Sequence, residues 1–179
     1  MPVDDRLVFR AFQEFDLPFL DRLSTDPEAL GAFMWPGFMD VRARRKRWER
    51  DGYISPESSA LAVVLSDGTV AGIATWQERN RGGPPGVCYE IGLALLPEYR
   101  GKGLGTAAQR WLVDHLFRFT TAHRLEAMTD AANIAEQKVL ERIGFKREGV
   151  LRGAVFHNGT WRDEVIYGLL REEAADHLA

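Results

Sequence analysis

The sequence predicts a single mixed α/β domain built around one central sheet. Three observations support this prediction: two pairs of strand-like runs joined by short turns, a helix-periodic apolar stripe past mid-chain, and an alternation of strand-like and helix-like segments. The chain has 179 residues, of which 45% are hydrophobic, which suits one domain with a substantial core. We therefore expect residues 1–179 to form one domain.

The first third of the chain predicts one strand followed by helical segments. LVFRAFQ, residues 7–13, reads as a strand, and Asp16 stands where it can cap a short helix through LPFLDRLS. A further helical turn is expected from Pro27, because proline suits the first position of a helix. Asp40 can cap the next helix, VRARRKRWERDG.

Two β-hairpins follow from turn dipeptides set between strand-like runs. Asp67-Gly68 joins ALAVVL to VAGIATWQ, and Asn158-Gly159 joins LRGAVF to WRDEVIYGLL. Type I′ turns favour both dipeptides because the two central residues of such a turn need a positive φ. The sequence therefore predicts two hairpins with type I′ turns.

Between the hairpins, strands and helices alternate. VCYEIGLALL places bulky side chains on one face of a strand, with Glu90 among small residues on the other. An amphipathic helix follows the glycine-rich residues 99–108. RLEAMTD then reads as a strand and NIAEQKVLERI as a helix, which Gly144 ends in the C′ position.

The stretch YRGKGLGTAA, residues 99–108, has the features of an anion site. Unpaired N–H groups and the positive end of a helix dipole converge at such a joint, and glycine allows close approach of a ligand. It is not a Walker loop, because Gly103 follows Lys102 where Ser or Thr is required, and Thr106 breaks the Rossmann glycine pattern. The alternative is a tight strand-to-helix connection without a ligand.

These residues resemble a known family. Residues 100–105, RGKGLG, match R/Q-x-x-G-x-G/A, the pyrophosphate-binding loop of the GNAT superfamily of N-acetyltransferases, and NIAEQKVLERIGF resembles that family's second motif. The C-terminal EGVLRGAVFHNGTWRDEVIYGLL resembles the branch that acetylates the N-termini of ribosomal proteins. The resemblance implies a mostly antiparallel twisted sheet of about six or seven strands flanked by about four helices.

The resemblance also implies acetyl-CoA as cosubstrate and a primary amine, on a protein N-terminus or a small molecule, as acceptor in a ternary complex. The loop N–H groups would hold the pyrophosphate, and the preceding strand would offer backbone groups to pantetheine. Lys138 or Arg142 could reach the 3′-phosphate, and Asn133 would bind pantetheine or order its helix. The predicted cofactor-binding residues are Leu93, Leu95, Arg100, Gly101, Lys102, Gly103, Leu104, Gly105, Thr106 and Asn133.

Glu90 is the predicted catalytic base, because many members of the family place a base on this strand. The alternative is a structural carboxylate paired with an arginine. The family's usual proton-donating tyrosine is replaced by Leu140, and the serine usual in the ribosomal branch is replaced by Glu136. Glu136 could donate if protonated, or it could be an exposed helix residue. Tyr99 and Tyr167 remain possible donors, and the general acid stays unassigned.

Other features leave several alternatives open. The basic segment at residues 42–50 predicts a solvated helix face, a dock for an acidic acceptor, or an RNA- or ribosome-docking surface. Aromatic side chains near it could line an acceptor pocket or belong to the core. The aromatic residues are Trp35, Phe38 and Trp48, and the non-aromatic Pro36 lies among them.

Composition narrows the function class. The net charge of −3 gives no overall attraction to nucleic acid or anionic lipid. No metal site is expected, because the four histidines lack ligand spacing and the lone Cys88 reads as a packing residue. We find no membrane span or signal-peptide pattern and expect a cytoplasmic protein, a monomer or homodimer. A non-catalytic acyl-CoA sensor is the rival to an enzyme.

Overall fold

A computed structural model describes residues 5–178. The predicted domain, residues 1–179, extends beyond this range. The N-terminal segment in which no signal-peptide pattern is expected also begins outside it. Seven strands form one sheet in the order β1-β2-β3-β4-β5-β7-β6. The strands are β1 Leu7–Arg10, β2 Ser58–Leu65, β3 Val70–Glu78, β4 Cys88–Leu95, β5 Arg124–Asp130, β6 Lys146–His157 and β7 Thr160–Leu170. The helices are α1 Leu17–Thr25, α2 Pro27–Leu30, α3 Val41–Asp51, α4 Leu104–Phe119, α5 Ile134–Arg142 and α6 Arg171–Leu178.

The strand pairing is antiparallel throughout the sheet except between β4 and β5, which run parallel. The predicted mixed α/β class and mostly antiparallel sheet are confirmed. Residues 5–178 contain six helices rather than about four. The difference arises because α2 is separated from α1 by the extended Asp26, and because α6 follows β7 directly.

Two hydrophobic clusters form the core. Ile91 and Leu95 of β4 belong to the cluster that contains the apolar stripe of α4, whereas Ala94 belongs to the cluster that contains α1. Neighbouring residues of β4 therefore enter different clusters, as a strand with side chains on alternating faces requires. The predicted alternation of this strand is confirmed.

Of the two aspartates predicted to cap helices, one does so, and a third aspartate caps a helix without having been predicted. Asp40 accepts a hydrogen bond from the N–H of Arg42 at 2.9 Å and so caps α3. Asp26 caps α2 in the same manner, ahead of Pro27. Asp16 precedes α1 as predicted but makes no capping bond. Its buried carboxylate instead accepts hydrogen bonds from the Arg10 guanidinium at 2.5 Å and from the N–H of Gln13 at 2.7 Å.

The two hairpins form, but only one has the predicted turn. Asn158 and Gly159 both have positive φ, 48° and 77°, as a type I′ turn requires. In the other hairpin Gly68 has a positive φ and Asp67 does not, so the prediction of type I′ is wrong there. The Asp67 carboxylate accepts from the N–H of Thr69 at 2.9 Å, and this local bond stabilises the different turn.

The parallel pair β4–β5 opens along its length. The register joins Cys88–Glu90 to Arg124–Glu126 and ends there, so residues 91–95 of β4 have no partner on β5. On its other edge β4 stays paired with β3 as far as Leu95. A wedge-shaped opening therefore separates two strands in the middle of the sheet, and it positions the site.

Candidate functional site

The opening leads into a cleft of about 620 Å³. The walls come from the end of β4, the glycine-rich loop that follows it, α5, and the segment after α2. The lining residues are Leu30, Gly31, Ala32, Phe33, Met34, Leu93, Ala94, Leu95, Arg100, Gly101, Gly103, Gly105, Thr106, Asn133, Ala135, Glu136, Val139 and Arg142. Most of the predicted cofactor residues therefore share one cleft, together with Arg142; Lys138 is not part of its wall.

The glycine-rich loop presents free backbone donors. The Arg100 N–H donates to the carbonyl of Pro97, and the next N–H to find a backbone acceptor is that of Ala107, bonded to Gly103. Within residues 5–178, the N–H groups of residues 101–106 thus donate to no protein acceptor. They lie at the start of α4, where the helix dipole is positive, and so they fit an anionic group.

The loop reaches this shape through positive φ angles. Gly101 and Gly103 have φ values of 73° and 79°, and no atom would contact an added Cβ at either position. Glycine is therefore required by the backbone and not by packing inside the protein. A side chain at either residue would project into open space beside the free N–H groups.

The Arg100 side chain makes hydrogen bonds within the protein at the edge of the cleft. Its guanidinium donates to the carbonyls of Leu95 at 2.8 Å and Ala29 at 2.7 Å. Desolvation lowers the pKa of Arg100. The Arg100 side chain therefore links α2 to the end of β4, and Arg100 also forms part of the cleft wall. Lys102 is exposed and lies over the Tyr99 ring.

Leu93 offers both of its backbone groups to the opening. The N–H of Leu96 donates to the carbonyl of Ala71, on the β3 side of the strand. Successive residues of a strand direct their backbone N–H and C=O groups to opposite edges. The N–H and C=O of Leu93 and Leu95 therefore point toward the gap between β4 and β5. Because the Leu95 carbonyl is already bound by Arg100, Leu93 is the residue with a donor and an acceptor available.

Asn133 caps α5. Its Oδ1 accepts from the N–H of Glu136 at 3.3 Å, and its Nδ2 donates to Thr129 Oγ1 at 3.1 Å. Of the two predicted roles, the ordering of the helix is visible in these bonds. The residue also lines the cleft, so a ligand can still contact it.

A smaller cavity of about 210 Å³ continues from the cleft. The two share Phe33, Met34, Leu93, Asn133 and Glu136. The remaining lining residues of the smaller cavity are Ile91, Gly92, Gln109, Ala127, Met128, Thr129, Asp130 and Glu164. Its charged members are all carboxylates, so this cavity suits a positively charged group beside apolar atoms.

Glu136 lies where the two cavities meet. The prediction of an exposed helix residue is wrong, because this side chain is half-buried and receives a hydrogen bond from Gln109 Nε2 at 2.6 Å. Desolvation raises the pKa of Glu136 above the usual value for a glutamate. The geometry therefore gives the site a carboxyl group that holds its proton more readily than an exposed one.

The other proposed proton donors are elsewhere. Leu140 is in the core, as is Tyr167, whose hydroxyl donates to Glu141 at 3.1 Å. Neither Tyr167 nor Tyr99 lines either cavity. Among the candidates named from sequence, Glu136 is the one that reaches the site.

Glu90 is paired with an arginine. Arg79, from the loop after β3, approaches the Glu90 carboxylate to 2.6 Å, and Glu90 lines neither cavity. Its in-register neighbour on β5, Glu126, is bound by Arg81 and Arg124, each at 2.7 Å. This contact is the structural alternative predicted for Glu90, and the role of base remains a hypothesis.

Sequence reasoning missed Glu164 and the pair Phe33 and Met34. Glu164 is on β7 and stands opposite Asp130 of β5 in the register. The signal was present, since an acidic residue in WRDEVIYGLL faces away from the apolar Val165 and Tyr167. Its link to the site needed the strand order, because β7 follows β5 in the sheet but not in the chain.

The aromatic residues proposed for an acceptor pocket lie outside both cavities. Trp48 packs against the second core cluster, and its indole N–H donates to the Phe12 carbonyl at 3.0 Å. Trp35, Pro36 and Phe38 contribute no wall to either cavity. Phe33 and Met34, which come slightly earlier in the chain, line both cavities instead.

The basic helix α3 uses its arginines for internal contacts. Arg44 donates to Ser24 Oγ at 2.7 Å, and Arg47 donates to Ser58 Oγ at 2.6 Å and lies over the Tyr53 ring. Arg42, Arg45 and Arg50 are each within 4 Å of an aspartate. These bonds attach α3 to α1 and β2, and they favour the reading of a structural, solvated face.

In the part of the chain that the structure describes, no group of histidine, cysteine and acidic side chains is arranged to hold a metal ion. No helix in residues 5–178 combines the length and apolarity needed to cross a membrane.

Comparisons with known proteins agree on one family. Residues 6–146 match the family model described as Acetyltransferase (GNAT) domain. The putative ribosomal N-acetyltransferase YdaF of Bacillus subtilis is 33% identical over 112 residues, 63% of this chain and 60% of that protein. The spermidine N(1)-acetyltransferase of Escherichia coli is 30% identical over 115 residues, 64% of this chain and 60% of that protein.

The fold also matches solved structures. Spermidine N-acetyltransferase from Vibrio cholerae, solved in complex with CoA and spermine, superposes with a TM-score of 0.85 at 18% identity, over 96% of this chain and 99% of that one. At that identity the likeness concerns the fold. The matched segments span between 46% and 60% of the length of three curated Bacillus subtilis relatives.

Proposed function

Because the chain belongs to the GNAT acetyltransferase family, we propose that it transfers the acetyl group of acetyl-CoA to a primary amine by direct transfer in a ternary complex. One observation carries this proposal. The free N–H groups of residues 101–106, the available backbone groups of Leu93 and the half-buried Glu136 all border one continuous pair of cavities. Free N–H donors suited to an anion, an unpaired strand edge and an acidic side chain therefore border the same pair of cavities.

Acetyl-CoA would supply the activated acetyl group as a thioester. The N–H groups of residues 101–106 would bind its pyrophosphate, as the fit of free donors to an anion suggests. The N–H and C=O of Leu93 would bind the pantetheine amides in the manner of a neighbouring strand. Arg142, at the α5 wall of the cleft, is available for the 3′-phosphate.

The acid is proposed to be Glu136. Glu136 lies where the cavities meet, so it would be near the end of a bound pantetheine arm, and burial raises its pKa above that of an exposed glutamate. Glu136 would give its proton to the sulfur as the carbon–sulfur bond breaks. The Leu93 N–H would stabilise the negative charge that develops on the carbonyl oxygen.

A carboxylate is also proposed as the base. Glu90, the base that the sequence predicts, can serve only through ordered water, since Arg79 binds it and it lines neither cavity. The amine class stays broad in this proposal. A polyamine and a protein N-terminus are the acceptors favoured in this proposal, because one relative is named a spermidine N(1)-acetyltransferase and another a putative ribosomal N-acetyltransferase.

The proposal is tested by incubating the protein with acetyl-CoA and a panel of amines that includes spermidine, a free amino acid, an aminated antibiotic and an alanine-initiated peptide. We expect CoA release to rise with at least one amine, and mass spectrometry to find that amine one acetyl group heavier. Acetyl-CoA binding by calorimetry without acetylation of any amine would support the non-catalytic sensor instead. Absence of both binding and turnover would contradict the assignment of the cleft.

A further inference from the structure

Four carboxylates stand on one face of the sheet around the opening. The register pairs Glu90 of β4 with Glu126 of β5, and Asp130 of β5 with Glu164 of β7. Residues 126 and 130 of β5 are four apart, and paired residues on adjacent strands share a face, so all four side chains are on the same side of the sheet. Their surroundings, however, differ.

Three of these carboxylates are neutralised by arginine. Glu90 has Arg79 at 2.6 Å and Glu126 has Arg81 and Arg124 at 2.7 Å. Asp130 has Arg162 at 2.6 Å. The side-chain carboxylate of Glu164 makes no ion pair and no hydrogen bond with any residue in the range 5–178. It is also half-buried and lines the smaller cavity.

The groups that face Glu164 increase its need for a cation. β5 contributes Asp130 with its Arg162, and β4 contributes Glu90 with its Arg79. The in-register neighbour on β6 is Leu151, and α5 brings Glu136 to the same cavity. Burial, followed by the charges of Glu90 and Asp130, raises the pKa of Glu164. A carboxylate in this position gains stability from an entering positive charge.

We propose that Glu164 binds the ammonium group of the acceptor and takes its proton, which makes it the general base of the reaction. This inference rests on the proposed acetyl transfer. The acceptor class is a primary alkyl ammonium ion, because the cavity combines Glu164 with the apolar side chains of Phe33, Met34 and Met128 and no cation lines it.

The step balances in protons and bonds. Glu164 removes one proton from the ammonium group, and the neutral amine nitrogen then forms a bond to the acetyl carbonyl carbon. The carbon–sulfur bond breaks, and Glu136 protonates the sulfur that leaves. The second proton lost by the nitrogen passes through solvent and restores Glu136. Glu164 then releases its proton to solvent, and the products are the N-acetylated acceptor, CoA and one proton.

Glu164 is better suited to this step than Glu90. An arginine that binds a carboxylate stabilises its charged form and so weakens it as a base, and Arg79 does this to Glu90. The raised pKa of Glu164 brings its basicity nearer to neutral pH, where a general base is most effective. Glu90 then acts indirectly, because its charge increases the basicity of Glu164.

The test compares Glu164→Gln with the matched variant Glu90→Gln, using the amine of highest turnover from the panel. For the wild type, kcat/KM should rise with pH through an apparent pKa above the usual range of a glutamate. Glu164→Gln should abolish that rise and lower kcat by about 10²-fold, with acetyl-CoA affinity unchanged. Glu90→Gln should keep the rise and move it to lower pH, since one like charge has been removed.

Glu164→Asp keeps a base in a shorter side chain and should restore the pH-dependent rise at a reduced kcat. Carbon-13 NMR of the side-chain carboxyl carbons, measured in acetyl-CoA-bound protein, should show the pKa of Glu164 falling in Glu90→Gln. A wild-type pH profile in Glu164→Gln, or loss of the rise in Glu90→Gln alone, overturns the inference while the acetyltransferase function stands. A wild type that acetylates no amine overturns both.

Discussion

The two ends of the β4–β5 pair differ in how their polar groups are satisfied. At the paired end, Glu90 and Glu126 stand side by side and are bound by arginines, and Glu126 is 2% exposed. At the open end, within residues 5–178, the Leu93 backbone groups are free and no arginine pairs with the carboxyl group of Glu136 or Glu164. The two ends of this strand pair thus differ in whether the nearby carboxyl groups are paired with arginine; at the open end these groups come from α5 and β7.

This contrast explains why the site is at one end of the opening. The paired end needs positive charge from within the protein, because two carboxylates in register repel each other. At the open end the Leu93 backbone groups and the Glu164 carboxylate have no partner within residues 5–178, at some expense to stability, and such groups gain most when a ligand binds them. The ion-paired carboxylates of the paired end stabilise the contact between the strands, and the groups without partners at the open end are available to a ligand.

The largest effect is expected at the open end, from Glu136→Gln. The amide keeps the contact with Gln109 but has no acidic proton, so kcat should fall by about 10²-fold, while acetyl-CoA affinity stays within about twofold. The wild-type kcat should decline at high pH as Glu136 loses its proton, and this decline should be absent from the variant. Steady-state kinetics across pH measures both.

Glu141→Gln is the control, because Glu141 is on the same helix but accepts from Tyr167 away from both cavities. It should turn over at nearly the wild-type rate. A Glu136→Gln enzyme with the kcat of the wild type would show that the thiolate takes its proton from another source.

The next effect concerns the paired end, where Glu126→Gln should lower the free energy of unfolding at pH 7 by about 2 kcal/mol. Burial acts to raise the pKa of Glu126, but hydrogen bonds from Arg81 and Arg124 outweigh it and hold that pKa below the usual value. A lowered native pKa means that the stabilisation is present above the usual glutamate pKa and is lost as pH falls through the native value. Urea denaturation from pH 7 to pH 3 measures this.

The control for the paired end is Glu148→Gln. Glu148 also binds Arg124, but its side chain is 41% exposed, so its removal should cost less than about 1 kcal/mol. If the two variants lose equal stability, burial is not what makes the Glu126 contacts strong.

The smallest effect is expected from Gly103→Val, which should weaken acetyl-CoA binding by at least about 1.4 kcal/mol. A β-branched side chain at a φ of 79° strains the loop and projects beside the free N–H groups, so the acetyl-CoA dissociation constant should rise at least tenfold. Isothermal titration calorimetry measures the change. Gly153→Val imposes the same kind of strain at a φ of 56°, outside both cavities, and should leave the affinity unchanged.

Calorimetry has a clear negative outcome here. A folded Gly103→Val protein that binds acetyl-CoA as tightly as the wild type would mean that residues 101–106 do not hold the pyrophosphate. In that case the loop would be only a strand-to-helix connection.

Local patterns predicted most of the fold. The alternation in β4, the cap at Asp40 and the end of α5 before Gly144 depend on neighbouring residues, and the structure confirms each of them. The turn at Asp67-Gly68 was predicted wrongly, although it is also local. One side-chain hydrogen bond there favours a different turn, and the energies of the alternatives are close.

The sequence by itself determined the family, the sheet with its helices and the loop of residues 101–106, because each is encoded in a contiguous stretch of chain. Only the tertiary structure decided which acidic residues reach the site. Glu90 and Glu136 were both candidates from sequence, yet Arg79 binds the first and the second is half-buried where two cavities meet. Glu164 enters the site because β7 lies beside β5. Burial and charge pairing set the chemistry of a carboxylate, and both depend on residues distant in the chain.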